Sequence, residues 1–386
     1  MGRKSTHKKV AADAFGTLYD AARHWASERP SSPALVSAAG SVLSYGDLLD
    51  RIDAIGATLN GNGLGRNDRI AIVHPGGRDM VLAILGIWSY ATAVPVNPDL
   101  TVREFAGYLR QTGVHAVAIA DVLEPRFRAA IDELGLPVLL ISPDGALSYA
   151  GGVRQKGSDP DGFGPARPDD ILSVVGTSGT TSRSKVVPLR HRQSVCRNWR
   201  AMNELRLGPD DRCLNMLRLF HSGGLNQGTV PALISGGSFV ALENFSASGF
   251  FDTLETAGPT WCTGAYTFYH AIYRELPART GELGDASSRL RFLRSGTGWL
   301  NPEVARQVEE AFGIPLVVTY GTSETGSITS EPLPPSRRKQ GSVGLPTHDG
   351  VVVADADGKP LPAGDVGEIL VRGPSVIDGY ENDDAA

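Results

Sequence analysis

The sequence predicts an α/β protein with two mostly parallel sheets flanked by helices, followed by a small β-rich part. Segments with strand and helix periodicity alternate along most of the chain, which is typical of parallel sheets with helices on their faces. The 386 residues exceed what one ordinary core holds, and 46 glycines and 25 prolines imply many tight turns. The net charge of −5 argues against a general nucleic-acid binder.

The first α/β unit is predicted to cover residues 1–168. Apolar residues recur at helical spacing in its helices, and short apolar runs mark its strands. The predicted helices are 11–27, 45–59, 78–90, 102–110 and 126–133. The predicted strands are 34–36, 42–43, 69–73, 93–96, 116–120 and 137–141. Residues 142–169 are rich in Gly, Pro, Asp and Ser, so we expect a loop between two units.

The second α/β unit is predicted to cover residues 169–331, and the β-rich part residues 332–386. The same alternation continues in the second unit. Its predicted helices are 191–205, 225–234, 247–257, 266–274 and 302–312. Its predicted strands are 171–175, 238–242, 260–262, 290–294 and 316–319. Short alternating strands are expected at 351–353 and 368–371 in the last part.

The cysteines and the N-terminus predict a reducing compartment. Cys196, Cys213 and Cys262 are odd in number and far apart, so neither a disulfide framework nor a zinc site is indicated. The first ten residues are polar and basic, unlike a secretory signal. The apolar stretch 80–98 is broken by glycine, polar residues and proline, and is predicted to be a helix and a strand instead of a membrane span. We therefore expect a cytoplasmic protein without a membrane span.

A loop rich in hydroxyl groups follows the predicted strand 171–175. Residues 176–185 read Gly-Thr-Ser-Gly-Thr-Thr-Ser-Arg-Ser-Lys. Small residues allow the backbone to approach an anion, consecutive amides can surround a phosphate, and Lys185 adds a charge. Lys185 is not followed by Ser or Thr, so this is not the usual P-loop. A plain polar surface turn is the alternative.

A second polar stretch, Tyr320-Gly321-Thr322-Ser323-Glu324-Thr325, lies far along the chain. It offers hydroxyl groups and one carboxylate, and the Glu324 carboxylate could hold a magnesium ion. Together the two stretches predict a site that binds ATP and reacts at its phosphates.

With these motifs the chain resembles the large N-terminal portion of the acyl-adenylate-forming enzymes. This family includes acyl-CoA synthetases, firefly luciferase and the adenylation domains of peptide synthetases. The resemblance covers almost the full length, with motifs in family order. They are Ser178-Gly179-Thr180-Thr181 with Lys185, Phe220-His221, Ser295-Gly296-Thr297-Gly298, Tyr320 to Glu324, Gly344-Leu345-Pro346 and residues 367–373. Residues 177–183, 187–189 and 331–339 are similar to the oxalate–CoA ligase branch.

The resemblance implies roles for individual residues. It implies that the phosphates are bound by Thr177, Ser178, Gly179, Thr180, Thr181 and Lys185. Other nucleotide contacts are implied for Gly296, Thr297, Gly298, Tyr320, Gly321, Thr322, Ser323 and Thr325. Magnesium is implied at Thr181 and Glu324, and acid binding at His221, Arg218 and Tyr266. The catalytic group is then Lys185, His221, Thr181 and Glu324.

The implied reaction is activation of a carboxylic acid by ATP. The resemblance implies an acyl-AMP and pyrophosphate, with Mg²⁺ assisting and CoA accepting the acyl group in the complete enzyme. An adenylation domain that loads a carrier-protein thiol is one alternative, and a nucleotide-binding module without turnover is another. Family members continue past a residue like Tyr380 into a lid that carries a catalytic lysine, so we expect the 386-residue chain alone to be impaired.

Several residues depart from the family pattern. Ser182, Ser184 and Val186 replace the usual Gly, Pro and Gly of the loop, which weakens the expectation of tight ATP binding. Arg218 replaces a proline near the acid pocket and could pair with a second carboxylate, predicting a small polar or dicarboxylic substrate. The alternative is that Arg218 faces solvent or pairs with a nearby acid.

Overall fold

The computed structural model describes residues 11, 14–152, 162–176, 185–276 and 287–381. Its strands form two large sheets and a separate two-stranded sheet. Within the described ranges, no helix has both the length and the apolar character needed to cross a membrane.

The bounds of the strands and helices follow in chain order. The strands are β1 (Pro33–Val36), β2 (Val42–Ser44), β3 (Arg69–Val73), β4 (Thr92–Val96), β5 (Ala116–Ala120), β6 (Val138–Ile141), β7 (Leu147–Gly151), β8 (Ile171–Gly176), β9 (Val186–Arg190), β10 (Arg212–Asn215), β11 (Ser238–Ala241), β12 (Trp261–Gly264), β13 (Phe292–Ser295), β14 (Leu316–Thr322), β15 (Gly326–Ser330), β16 (Leu345–Pro346), β17 (Val351–Ala354) and β18 (Glu368–Val371). The helices are α1 (Leu18–Glu28), α2 (Tyr45–Gly61), α3 (Gly77–Tyr90), α4 (Val102–Thr112), α5 (Glu124–Glu133), α6 (His191–Glu204), α7 (Ser222–Gly224), a π-helical turn (Leu225–Thr229), α8 (Val230–Ser235), α9 (Ala247–Ala257), α10 (Tyr266–Glu275) and α11 (Pro302–Phe312).

The two large sheets are parallel in their interiors and antiparallel at their edges. The first has the order β7-β6-β5-β3-β4-β8-β9, with antiparallel pairs only at β6–β7 and β8–β9. The second has the order β16-β15-β14-β13-β12-β10-β11-β1-β2, with antiparallel pairs at β1–β2, β14–β15 and β15–β16. The carboxyl ends of the parallel strands in each sheet therefore meet at one edge, where ligand sites are commonly built.

Helices cover both faces of each sheet, because side chains of a strand point alternately to its two faces. In β3, Ile72 joins a central hydrophobic cluster with α1, α2, α3 and α8, whereas Ala71 joins a cluster under α4 and α5. In β10, Cys213 faces the central cluster and Leu214 faces a cluster under α9, α10 and α11. The result is five layers, with central helices between the two sheets.

Local sequence signals fix the central helices. The side chains of Thr17 and Ser44 accept hydrogen bonds from the backbone three residues on, and each helix begins with a capping box. Glycines let α2 and α3 pack closely, since a Cβ on Gly56 would lie 2.4 Å from the Tyr90 ring.

The predicted fold class is confirmed, with corrections to individual elements. Residues 147–151 form β7 inside the stretch 142–169 that we expected to be a loop. The prediction also omitted β9, β10, β15 and β16, which are short. Sheet membership crosses the predicted boundary at 168/169, because β8 and β9 join the first sheet while β1 and β2 join the second. The domain boundaries themselves stay predictions.

Candidate functional site

The predicted phosphate loop connects β8 to β9. Residues 177–184 lie outside the described residues, so the roles expected for Thr177, Ser178, Gly179, Thr180 and Thr181 stay predictions. The two ends of the loop are fixed, because Gly176 pairs with Val186 across the antiparallel strands. The amide of Gly176 also donates a hydrogen bond to Oη of Tyr108 at 3.1 Å. Lys185 therefore stands, exposed, directly before β9.

The end of this loop and the distant glutamate meet at Tyr380. Nζ of Lys185 lies 4.2 Å from the centroid of the Tyr380 ring. The Tyr380 hydroxyl donates a hydrogen bond to Oε1 of Glu324 at 2.7 Å. Two of the predicted catalytic residues thus share one partner, although they come from different sheets.

The turn that carries Glu324 joins β14 to β15 and is held by Arg197 of α6. Arg197 is only 7% exposed. Its guanidinium donates hydrogen bonds to the carbonyl oxygens of Ser323 at 3.1 Å, Glu324 at 2.9 Å and Ser375 at 2.6 Å. Burial lowers the pKa of Arg197 to about 10, so the group stays charged at neutral pH.

The Glu324 carboxylate is half-buried but anionic. Burial would raise the pKa of Glu324, yet hydrogen bonds from Tyr380 and Thr322 and the charge of Arg197 outweigh it, so the pKa is lowered. Hydrogen bonding thus keeps this carboxylate ionised and aimed at a fixed point.

A single fixed carboxylate suits Mg²⁺ bound together with phosphates. Magnesium in nucleotide sites is commonly held by one or two carboxylates plus substrate phosphates and water. No cluster of three or more His, Cys, Asp or Glu side chains is formed by the residues that the structure describes. Glu324 would supply the protein ligand, with Thr181 as the predicted second ligand outside the described ranges.

The glycine turn after β13 forms a second part of the site. Nε2 of Gln227 donates a hydrogen bond to the carbonyl oxygen of Gly296 at 3.1 Å. A Cβ on Gly296 would lie 2.2 Å from Oε1 of Gln227. Gly298 has a φ of +88°, and its Cβ would lie 2.5 Å from the Tyr266 ring. Gly298 therefore favours glycine, a side chain at Gly296 would displace Gln227, and Tyr266 packs on this turn.

A cavity of about 320 Å³, lined mainly by polar residues and glycines, connects the two parts. Predicted residues on its wall are Gly296, Thr297, Gly321, Thr322 and Ser323. Residues that the sequence analysis did not single out are Arg197, Asn198, Ala201, Ser222, Gly223, Asn226, Gln227, Arg294, Thr319, Gly326 and Ser327. The described lining contains two arginines and no acidic side chain, so the cavity favours an anion.

Arg294, on β13, is the most buried charge of this wall. It is 2% exposed. It donates hydrogen bonds to the carbonyl oxygen of Gln227 at 3.2 Å and to Oγ of Ser327 at 3.1 Å. Its Nε has no hydrogen-bond partner, and no described carboxylate forms an ion pair with it. An arginine remains protonated even when burial lowers its pKa, so this positive charge persists, and the charge of Glu204 acts on it without a direct ion pair.

The remaining predicted residues lie around the cavity but outside its described wall. His221 is exposed and its ring packs on Phe220 at 4.4 Å. Desolvation and the charge of Arg218 lower the pKa of His221, so its ring is neutral at neutral pH. Arg218 is half-buried and forms no ion pair with a described carboxylate. Tyr320 is 42% exposed, as a side chain that stacks on a base needs to be.

Thr325 belongs to the Glu324 turn. Its hydroxyl lies 3.0 Å from that of Thr322, and its amide donates a hydrogen bond to Oγ1 of Thr322 at 3.3 Å. The turn residues are thus held by one another as well as by Arg197.

Sequence reasoning missed Arg197, Arg294, Gln227 and Asn226 as site residues, and it treated Tyr380 only as a landmark. Arginine on a helix is normally exposed, so nothing local distinguishes Arg197 from its neighbours. For Arg294 a weak signal existed, because a charge inside an apolar strand run is rarely buried without a function.

Known proteins similar to this chain identify its family. A family described as AMP-binding enzyme matches residues 22–381. The chain is 32% identical to the sulfoacetate–CoA ligase of Cupriavidus necator, over 96% of this chain and 72% of that protein. It is 30% identical to an oxalate–CoA ligase of Arabidopsis thaliana, over 88% of this chain and 67% of that protein.

Among solved structures with a similar fold is that of apo MatB from Rhodopseudomonas palustris. It has a TM-score of 0.81 and 26% identity, over 95% of this chain and 72% of MatB. The family match spans most of the chain, and the two curated relatives are CoA ligases. The chain therefore belongs to the family of AMP-binding enzymes.

Proposed function

We propose that the chain activates a carboxylic acid with ATP to form an acyl-AMP and pyrophosphate, and that CoA accepts the acyl group in the complete enzyme. The observation that carries the proposal is the meeting of Lys185 and Glu324 at Tyr380, beside a cavity walled by the Gly296–Thr297 turn. The names of the relatives, which are CoA ligases, favour CoA over a carrier-protein thiol.

In this reaction a substrate carboxylate oxygen bonds to the α-phosphorus, and the bond from that phosphorus to the pyrophosphate oxygen breaks. Two anions must meet, so cations and aimed dipoles lower the barrier. Lys185 supplies a positive charge where the phosphates are expected, and Glu324 presents its carboxylate for Mg²⁺. When bound, Mg²⁺ neutralises the leaving pyrophosphate. The neutral His221 ring can hydrogen-bond near the acid without adding a competing charge.

We further propose that the acid is small and carries a second anionic group. Arg294 supports this, because a buried guanidinium on a cavity wall without acidic side chains is stabilised by an anionic ligand. Oxalate and sulfoacetate, which name two relatives, both carry two acidic groups. Arg218, the residue proposed from the sequence, borders His221 instead of the described cavity wall and becomes the second candidate.

The test is carboxylate-dependent exchange of pyrophosphate into ATP by the complete gene product. Oxalate, sulfoacetate, acetate and a long-chain fatty acid form the panel, and binding of Mg·ATP by residues 1–386 is measured in parallel. We expect exchange with at least one dianionic acid. Mg·ATP binding without exchange for any acid would favour the nucleotide-binding module, and absence of Mg·ATP binding would contradict the proposed site.

The second-anion proposal is tested with Arg294→Met and Arg218→Met. A hydrogen bond between charged groups contributes about 1.5–3 kcal/mol, so kcat/KM for the dianionic acid should fall about 10- to 100-fold in Arg294→Met. The rate with a monoacid of similar size should stay within about threefold. Equal losses for both acids would contradict the role of Arg294. Selective loss in Arg218→Met would assign the role to that residue.

A further inference from the structure

The segment 375–381 crosses the candidate site and ties its parts together. Residues of the segment other than Tyr380 hold it against the rest of the protein. The Ser375 carbonyl oxygen accepts from Arg197, and the amide of Ile377 donates to the Glu324 carbonyl oxygen at 2.9 Å. Asp378 pairs with Arg190 at 2.6 Å. Further contacts join Arg192 to Asp378, Gln193 to Val376, Arg69 to Glu381, and Val186 to Glu381.

Tyr380 is the residue of this segment that contacts both Lys185 and Glu324, two of the predicted catalytic residues. One face of its ring receives the Lys185 ammonium, and its hydroxyl donates to Glu324. The ring and the hydroxyl therefore act on different partners, one expected to bind phosphate and the other Mg²⁺.

We infer that Tyr380 is a positioning residue for Mg·ATP. This inference rests on the proposed function. Tyr380 aims the Glu324 carboxylate at the metal through its hydroxyl, and it directs the Lys185 ammonium towards the phosphates through its ring.

The strengths of the two contacts suit such a role. A cation over an aromatic ring in an exposed site gains only about 0.5–1 kcal/mol, so this contact does not compete strongly with a phosphate oxygen for Lys185. A carboxylate accepts hydrogen bonds at about four positions, so Glu324 can bind Mg²⁺ while its Oε1 still accepts from Tyr380. Tyr380 thus orders both groups without blocking either.

The experiment separates the hydroxyl from the ring. Tyr380→Phe keeps the ring over Lys185 and removes the donor to Glu324, whereas Tyr380→Leu removes both. Asp378→Asn is the matched control, because it weakens an anchor of the same segment without touching Lys185 or Glu324. Binding of ATP with Mg²⁺, and of ATP with EDTA, is measured by calorimetry on residues 1–386, together with the melting temperature of each variant.

We expect Tyr380→Phe to weaken Mg·ATP binding about 3- to 10-fold and to leave metal-free ATP binding unchanged, since one hydrogen bond to a charged group is lost. Tyr380→Leu should also weaken metal-free binding, by about 2- to 5-fold.

Three outcomes overturn the inference. In one, Tyr380→Phe binds Mg·ATP like the wild type. In another, both forms of ATP weaken equally in Tyr380→Phe. In the third, Asp378→Asn reproduces the metal-selective loss, which would make the segment alone responsible. If the wild-type chain fails to bind Mg·ATP at all, the proposed function itself falls.

Discussion

One buried arginine, Arg197 of α6, holds the Glu324 turn, and another, Arg294 of β13, lies in the cavity wall, but their polar atoms are used differently. Arg197 donates hydrogen bonds from all three guanidinium nitrogens to carbonyl oxygens of the turn and of the segment 375–381. Arg294 has an unpartnered Nε, and nearby polar atoms also lack partners in the described protein. They are Oε1 of Gln227, Oγ of Ser295 and Oγ1 of Thr297.

The difference separates scaffold from ligand site. Buried polar groups are normally hydrogen-bonded, so a satisfied network such as that of Arg197 indicates a structural role. A group of unsatisfied atoms around a cavity indicates partners that arrive with a ligand. If this distinction holds, substitutions near the two arginines should change stability to very different degrees.

Arg197→Leu should be the most damaging substitution. It leaves the carbonyl oxygens of Ser323 and Ser375 without their donor and removes one of the two donors to the Glu324 carbonyl oxygen. Each buried acceptor left unsatisfied costs about 1–3 kcal/mol. Urea unfolding measures the loss. Arg192→Leu on the same helix is the control, because its exposed ion pairs with Asp169 and Asp378 contribute about 1 kcal/mol or less. Similar losses in the two variants would remove the structural role of Arg197.

Gly321→Ala tests how tightly the turn is closed. A Cβ there would lie 2.1 Å from the backbone oxygen of Gly326, which cannot move aside as a side chain would. We expect a loss of about 1–3 kcal/mol in unfolding free energy. Gly107→Ala is the control, since nothing lies within 4 Å of its Cβ and alanine favours the helix by about 0.5–1 kcal/mol. If Gly321→Ala unfolds at the same urea concentration as the wild type, the backbone of Gly326 does not press closely on position 321.

The ionisation of Glu204, which interacts with the charge of Arg294, should make the stability of the protein depend on pH. Burial raises the pKa of Glu204 to about 7, against the opposing charges of Arg294 and Arg200. A folded-state pKa above the unfolded value contributes stability at low pH, which is lost as the pH rises from about 4.5 through about 7. The unfolding free energy of Glu204→Gln, compared with that of the wild type, should therefore rise by about 1–2 kcal/mol as the pH is raised from 5 to 8. Urea unfolding at each pH measures this difference. A difference that does not change with pH would place the titration elsewhere.

Arg294→Met should change stability least. Removing this buried charge also removes its desolvation cost, which offsets the lost hydrogen bonds to Gln227 and Ser327, so we expect a change of about 1 kcal/mol or less. The melting temperature measured beside Arg197→Leu gives the contrast directly. Equal destabilisation by the two substitutions would show that Arg294 is also part of the scaffold.

Periodicity placed most elements correctly because long apolar patterns survive into the fold. The helices α9 and α11 and the strands β3, β5 and β18 begin and end at the predicted residues. The failures share a cause, since β7, β9, β10, β15 and β16 each contain at most two consecutive apolar residues, whereas β3, β5 and β18 contain three or more. The assignment of β1 and β2 to the second sheet needed the pairing of β1 with β11, which no local signal encodes.

By itself the sequence determined the fold class, the family and the two motifs that carry Lys185 and Glu324, because these depend on residue types in short, continuous stretches. Only the tertiary structure decided that Arg197, Arg294 and Tyr380 belong to the same site. Their roles follow from burial and from partners distant along the chain, which no short stretch of sequence encodes.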